Sequence, residues 1–141
     1  MIERFDEYIE VPYSPDFWYD VGLPHASCLA DQFQCIDWQQ LSALISQRPD
    51  EWKIRCAEAI DPYQNEQAAK LLISLLTVNN GDIIVAAASS LRTFDGLPSL
   101  LAPGDLARVR NLIATASAPV RMVLQDFLRR AEPVLPTASP K

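Results

Sequence analysis

A pattern of apolar residues that occurs three times is the feature that most constrains the fold of this chain. In each copy, apolar side chains stand at relative positions 0, 3, 4 and 11. The copies are Leu41, Leu44, Ile45 and Trp52, then Leu72, Leu75, Leu76 and Ile83, then Val109, Leu112, Ile113 and Val120. Spacings of three and four residues place side chains on one face of an α-helix, whereas strand residues alternate. The recurrence predicts repeated helix pairs from residue 37 onward.

Residues that begin and end helices divide this region into three predicted pairs, which span residues 37–60, 65–94 and 105–132. We expect Asp37, Asn65 and Asp105 to stand at the starts of the first helices, because Asp and Asn side chains accept hydrogen bonds from free backbone N–H groups there. Residues 95–104 form a longer connector than the others. Residues 133–141, which include three prolines, are predicted to form a flexible tail.

The second helices carry a family resemblance. With WKIRCAEAI at residues 52–60 and VRMVL at residues 120–124, the chain resembles the second helix of HEAT repeats, in which an apolar residue and a base precede small and apolar residues. The middle copy has Ile84 at the basic position, and the first helices lack the proline that many HEAT repeats carry. The resemblance covers about residues 37–132. It implies an all-α fold, a short α-solenoid of about three antiparallel helix pairs, without implying any catalytic residue.

Residues 1–36 have a different composition and are predicted to form an irregular, acidic, aromatic-rich N-terminal cap. Residues 1–38 hold eight acids and one base, which gives 1 − 8 = −7, whereas the remaining residues hold ten acids and eleven bases, so the total is −6. The same segment holds eight of the twelve aromatic residues: Phe5, Tyr8, Tyr13, Phe17, Trp18, Tyr19, Phe33 and Trp38. We expect two short helices in it, over residues 15–24 and 26–33.

Two compatible roles are open for this N-terminal segment. It can cover the end of the helical array, since terminal repeats require an atypical cap. It can also present a partner-binding surface, because aromatic residues dominate interface energies and charges steer encounter. The residues predicted for such a surface are Asp16, Phe17, Trp18, Tyr19 and Asp20.

No residue pattern indicates catalysis, a metal or a cofactor. His25, Cys28 and Cys35 have the chemistry of zinc ligands, but their spacing matches no compact zinc unit and nothing marks a Cys-His pair as activated. We expect Cys28 and Cys35 to pack inside the first short helices, and no disulfide. Four glycines form no phosphate-binding loop. The expectation is a chain that is not an enzyme.

Charge and hydropathy also constrain the partner and the location. The last predicted pair carries five arginines that suit a phosphate-binding face: Arg108, Arg110, Arg121, Arg129 and Arg130. They suit equally a solvated face that pairs with Asp105, Asp126 and Glu132, and a pI near 4.6 weighs against nucleic acid. The longest apolar run, residues 71–76, is too short to cross a bilayer. The acidic N-terminus is unlike a secretion signal, so we expect a cytoplasmic protein.

Helical-repeat proteins mostly bind other macromolecules, and a compact acidic one attracts a basic partner. This profile resembles, by type, the small bacterial immunity proteins that neutralise a cognate toxin, many of whose targets are basic nucleases. The resemblance implies a protein that binds and neutralises a basic bacterial toxin domain. The alternatives are a general HEAT-like scaffold or adaptor, and a helical-repeat module that binds or processes nucleic acid.

Overall fold

A computed structural model describes residues 1–132 and shows an all-helical protein, as predicted; no strand occurs among these residues. The helices are α1 (Ile2–Glu10), α2 (Pro15–Phe17), α3 (Leu23–Ala30), α4 (Cys35–Leu44), α5 (Asp50–Ala59), α6 (Glu66–Ser74), α7 (Gly81–Leu91), α8 (Leu97–Leu100), α9 (Ala107–Ile113) and α10 (Ala118–Ala131). A π-helical segment, Trp18–Gly22, joins α2 to α3, and 3₁₀ turns at Ile45–Gln47 and Leu75–Thr77 extend α4 and α6. The predicted tail, residues 133–141, lies outside the described residues.

The helices contact one another in two rows that follow the order of the chain. In one row α3 contacts α5, α5 contacts α7, and α7 contacts α10. In the other, α1 contacts α4, α4 contacts α6, and the 3₁₀ turn after α6 contacts α9. Each predicted pair range therefore contains one helix of each row, and α1 with α3 adds a pair that the sequence pattern did not predict.

The repeated apolar residues build the core between the rows. All twelve are buried or pack against the buried cluster. In the third copy Leu112, Ile113 and Val120 are only partly buried, whereas Val109 is fully buried. The described chain has no later helix pair to cover that side, which explains the lower burial.

Helix starts agree with the predictions in part. Asn65 caps α6, as predicted, by accepting a hydrogen bond from the backbone N–H of Ala68 at 3.1 Å. Asp37 is not the cap of α4, which begins earlier, at Cys35; Asp37 instead completes a capping box with Gln34. Asp105 does not begin α9 either, because its carboxylate accepts from the N–H of Ala102 in the connector. Side chains with several backbone donors in reach cannot be assigned to one of them from sequence spacing alone.

The N-terminal segment corrects two predictions, since it is neither irregular nor split into two short helices. Residues 2–10 form α1, and residues 15–30 form one continuous helical rod. Pro24 lies inside this rod, although a proline normally ends a helix because it lacks an N–H group and its ring clashes with the preceding turn. The π-helical segment just before it, in which the N–H of Leu23 donates to the carbonyl of Trp18, removes that conflict. Gly22 is required there, since a Cβ atom would lie 2.6 Å from the Trp18 ring.

Helix α1 is fastened to the region around α5 through Asp6. The Asp6 carboxylate accepts hydrogen bonds from the buried Trp52 indole at 3.0 Å and from the Arg48 guanidinium at 3.0 and 2.5 Å. The ring of Phe5 packs edge to face against Trp52, with centroids 6.4 Å apart. The acid is therefore part of the structure rather than of the free acidic surface.

Replacing Asp6 with Ala is expected to reduce the free energy of unfolding by about 1–3 kcal/mol, because it leaves the buried indole N–H of Trp52 without an acceptor. Chemical denaturation followed by circular dichroism measures this change. The neighbouring exposed acid provides the control, and Glu7→Ala should alter stability by no more than about 0.5 kcal/mol. Equal losses in the two variants would show that the Asp6 contacts contribute no more than any surface acid.

Candidate docking surface

The predicted partner-binding residues lie on the rod formed by α2, the π-helical segment and α3, which α5 holds in place. Glu58 of α5 accepts hydrogen bonds from the Trp18 indole at 2.9 Å and from the Tyr19 hydroxyl at 2.7 Å. Ser27 of α3 donates to the carbonyl of Ala59 at 2.8 Å, which occupies a carbonyl at the end of α5. These contacts hold the rod against one helix of the repeat region.

The structure places the five predicted residues in different environments. Trp18 is 2% exposed, with its ring packed in the core and its N–H bonded to Glu58, so it is unable to touch a partner directly. This corrects its assignment to the surface: composition reveals that an aromatic residue is present but not which way it faces. Asp16, Phe17, Tyr19 and Asp20 are all exposed. We refer to these four residues as the leader face.

The leader face is supported from below by aromatic packing. Tyr13 stacks on Phe17 with ring centroids 5.1 Å apart and on Trp18 at 6.1 Å, in both cases with planes tilted by only 20°. Burial raises the pKa of the Tyr13 phenol, and a hydrogen bond with Tyr8 adds to the effect. Phe17 still exposes 43% of its surface, an apolar contact area that is held in one orientation.

Most acids of the N-terminal segment point into solvent. Asp6 and Asp37 have structural partners, whereas the six others are exposed: Glu3, Glu7, Glu10, Asp16, Asp20 and Asp31. Within the described part of the chain, only Glu3 of these six makes an ion pair, with the N-terminal ammonium group. The remaining carboxylates are free to attract a cation.

A groove of about 740 Å³ adjoins the leader face. Helix α7 forms its floor. One wall consists of α5 with the start of α3, and the other consists of the end of α9 with the start of α10. The lining residues include Tyr19, Leu23, Ile54, Glu58, Asp82, Val85, Ala86, Ser89, Ser90, Leu112, Thr115, Ser117 and Val120. Tyr19 belongs to both features, so the leader face and the groove form one continuous surface.

Tyr19 and Glu58 are electrostatically coupled at the edge of this groove. The hydrogen bond to the Glu58 carboxylate, together with burial and the repulsion between two negative charges, raises the pKa of Tyr19 to about 12. The phenol therefore stays protonated and donates to the carboxylate. The edge of the groove carries a fixed negative charge beside an aromatic ring.

Sequence reasoning missed the groove, Glu58 and Asp82. Glu58 lies in the segment that was interpreted as a HEAT-like second helix, where an acid on a helix surface attracts no notice. One signal was present: Trp52, Arg55 and Glu58 recur every three residues, which places two charged groups on one face of α5 beside the core residues. Asp82 stands in the first turn of α7, where an acid is common because of its favourable interaction with the helix dipole.

The candidate metal and thiol residues are dispersed. No group of three or more His, Cys, Asp or Glu side chains among residues 1–132 is arranged to hold a metal ion. Cys28 and Cys35 are exposed, contrary to the prediction that they pack inside the short helices. The rod turns Ala26, Leu29 and Ala30 inward instead of Cys28, and Cys35 is the first residue of α4. Cys56 is buried in α5, and this burial raises the pKa of its thiol, which keeps it protonated.

The arginines of the last helix pair are engaged with neighbouring groups. Asp126 receives hydrogen bonds from Arg92 at 3.4 Å and from Arg129 and Arg130 at 3.2 Å. Burial would raise the pKa of Asp126, but the hydrogen bonds from Arg130, Arg129 and Arg92 lower it overall. Arg110 pairs with Glu132, and Arg121 donates to the carbonyl of Ala116. Arg110, Arg129 and Arg130 therefore match the solvated, paired face. Arg121 and Arg108, which donates to the side chain of Asn79 at 3.3 Å, bond to neutral groups, and Asp105 pairs with none of the five.

Comparisons of the chain with known protein families, with curated proteins and with solved structures find no match. Among residues 1–132, no helix has the length and apolar character needed to cross a membrane.

Replacing Glu58 with Gln is expected to move the pKa of Tyr19 from about 12 back toward the ordinary value of 10.0, because the neutral amide no longer stabilises the protonated phenol. Tyrosinate absorbance measured across this pH range reports the change, and the double variant Glu58→Gln, Tyr19→Phe shows whether the shifted phenol is Tyr19. The raised pKa means that this contact stabilises the fold below pH 10 and that the contribution is lost as pH rises toward 12. An unchanged titration in Glu58→Gln would contradict the coupling.

Proposed function

We propose that this chain is an immunity protein that binds and neutralises a basic bacterial toxin domain. The observation that carries the proposal is the set of exposed carboxylates without partners, Glu7, Glu10, Asp16, Asp20 and Asp31, on helices that α5 and its neighbours hold in fixed positions. A carboxylate held in a fixed position contributes more to the free energy of binding than a mobile one, because less side-chain and backbone freedom is lost when the complex forms.

The proposal includes the architecture. The repeated core pattern and the contacts along each row of helices support a short HEAT-like α-solenoid, in which each pair touches its neighbours in chain order. In this proposal α1 and the rod of residues 15–30 form the terminal capping pair. The cap would then serve as end cover and as binding surface at once.

The proposed mechanism of neutralisation is competition for charge. A nuclease holds its phosphate backbone through lysine and arginine side chains, so its substrate site is positively charged. A rigid surface with free carboxylates and an exposed Phe17 and Tyr19 offers the same groups ion pairs together with aromatic contact area. Occupying that site excludes the nucleic acid without any chemistry by the inhibitor.

The test uses the product of the reading frame next to this one as the candidate toxin. We expect the two proteins to co-purify and this chain to restore growth of cells that produce the toxin. Asp16→Asn combined with Asp20→Asn should slow association by about threefold to tenfold at low salt, because both changes remove charges that steer the encounter. The difference should shrink as added salt screens exposed charges.

Asp31→Asn combined with Asp95→Asn provides the matched control, because it also removes two exposed acids, and both lie away from the leader face, at the far end of the rod and in the connector after α7. It should alter the association rate less than the leader-face change. Equal effects of the two variants would show that net charge, and not the leader face, guides binding. Absence of both co-purification and growth protection would reject the proposed function.

A further inference from the structure

We propose that the groove beside the leader face is a binding site for arginine side chains of a partner protein. The Tyr19 ring would stack on one guanidinium and the Glu58 carboxylate would pair with it, while Asp82, near the start of α7, would pair with a second. The identity of the partner rests on the proposed function, whereas the chemistry of the site does not.

The charged side chains that line the groove all have the same sign. Glu58 and Asp82 are the formally charged side chains among its lining residues, and both are acids. Asp82 is exposed and makes no hydrogen bond or ion pair through its side chain with any other described residue. A concave site with charge of one sign concentrates its field and attracts the opposite charge more strongly than a flat surface does.

At the edge of the groove an aromatic ring is paired with a carboxylate. Tyr19 exposes 55% of its surface and donates its hydroxyl hydrogen to Glu58, so ring and acid are held together. The molecule already uses this combination internally: the Arg48 guanidinium lies 6.0 Å from the Trp52 ring centre and pairs with the Asp6 carboxylate, to which the Trp52 indole also donates. A planar guanidinium stacks on aromatic rings and pairs with carboxylates in a fixed geometry, which a lysine ammonium does not.

The shape of the groove also suits a long side chain. The floor of the groove consists of small side chains on α7, including Ala86, Ser89 and Ser90, and the hydroxyl of Ser90 is already occupied by the carbonyl of Ala57 at 2.7 Å. Leu112 and Val120 form an apolar part of the wall. The small floor leaves room for long side chains, and the apolar wall suits the methylene groups of arginine, which pack on apolar surface while the charged end remains with the acids.

The chemistry of the site can be tested without the toxin. The probes are three short acetylated and amidated peptides in which alanine alternates with arginine, with lysine or with uncharged citrulline. In ¹⁵N-labelled protein, the arginine peptide should shift the amide signals of the groove residues, namely Tyr19, Glu58, residues 81–90, residues 112–118 and Val120. The lysine peptide should bind more weakly, and the citrulline peptide should produce no shift. Arginine-dependent shifts outside these residues, or equal affinity for arginine and lysine, would overturn the proposal.

Two groove variants and one control complete the test. Ser89→Trp fills the floor and should weaken binding of the arginine peptide, and of the toxin, by about tenfold or more. Asp82→Asn keeps the shape of the groove and should weaken both by roughly twofold to fivefold, the effect of an exposed ion pair. The control is Ser46→Trp, an exposed position outside the groove, which should change neither affinity. Circular dichroism shows whether each variant is folded.

The two proposals fail in different ways. If wild-type protein binds the arginine peptide in the groove but not the neighbouring gene product, the groove assignment stands and the proposed function fails. If it binds the gene product while Ser89→Trp and Asp82→Asn leave that affinity unchanged, the groove assignment fails and the proposed function stands.

Discussion

The arrangement of the N-terminal segment depends on the hydrogen bonds and ring contacts of the Arg55 guanidinium. It donates hydrogen bonds to the carbonyls of Ile9 at 3.2 Å, of Tyr13 at 3.1 Å and of Val11. These carbonyls stand where α1 ends and the chain turns toward α2, a place where helical hydrogen bonding cannot satisfy them. One charged side chain therefore supplies donors for the turn, and its stacking on Tyr13 and Trp18 fixes the start of the rod.

Helix α5 links this segment to the rest of the molecule. One side of it packs on α7 through Cys56 and Ala57, which are fully buried. Another side carries Arg55 and Glu58, whose partners are all in the N-terminal segment. Glu58 also lines the groove, so the contact that positions Trp18 and Tyr19 places a negative charge at the candidate site. Structure and proposed binding thus share one carboxylate.

The helices of the repeat region could be predicted because the residue pattern that specifies each helix lies within that helix. Each helix must bury its own apolar face, so a spacing of three and four residues reveals it wherever it occurs. Ile2, Phe5 and Ile9 carry the same signal, and all three are buried in α1. That signal was overlooked because the acids and aromatic residues around it suggested an irregular segment, although an amphipathic helix accommodates both on its exposed face.

The candidate site was less predictable because its parts meet only in three dimensions. Trp18 and Tyr19 are adjacent in sequence, yet one is buried and the other exposed. Trp18 is covered by Tyr13 and by Arg55, which is distant in sequence, whereas Tyr19 reaches the repeat region only through its hydroxyl group. The π-helical turn adds to the difficulty, since it shifts every later side chain around the rod relative to an uninterrupted α-helix.

Charge and shape have separate parts in the proposed recognition. Free carboxylates on the leader face raise the rate of encounter with any cationic protein, so by themselves they discriminate little between partners. The groove adds a geometric requirement, since an aromatic ring held beside an acid above a small-residue floor favours a planar guanidinium over a compact ammonium group. An inhibitor that must bind one basic protein among many in a cell needs both: the exposed acids for speed, and the groove for discrimination.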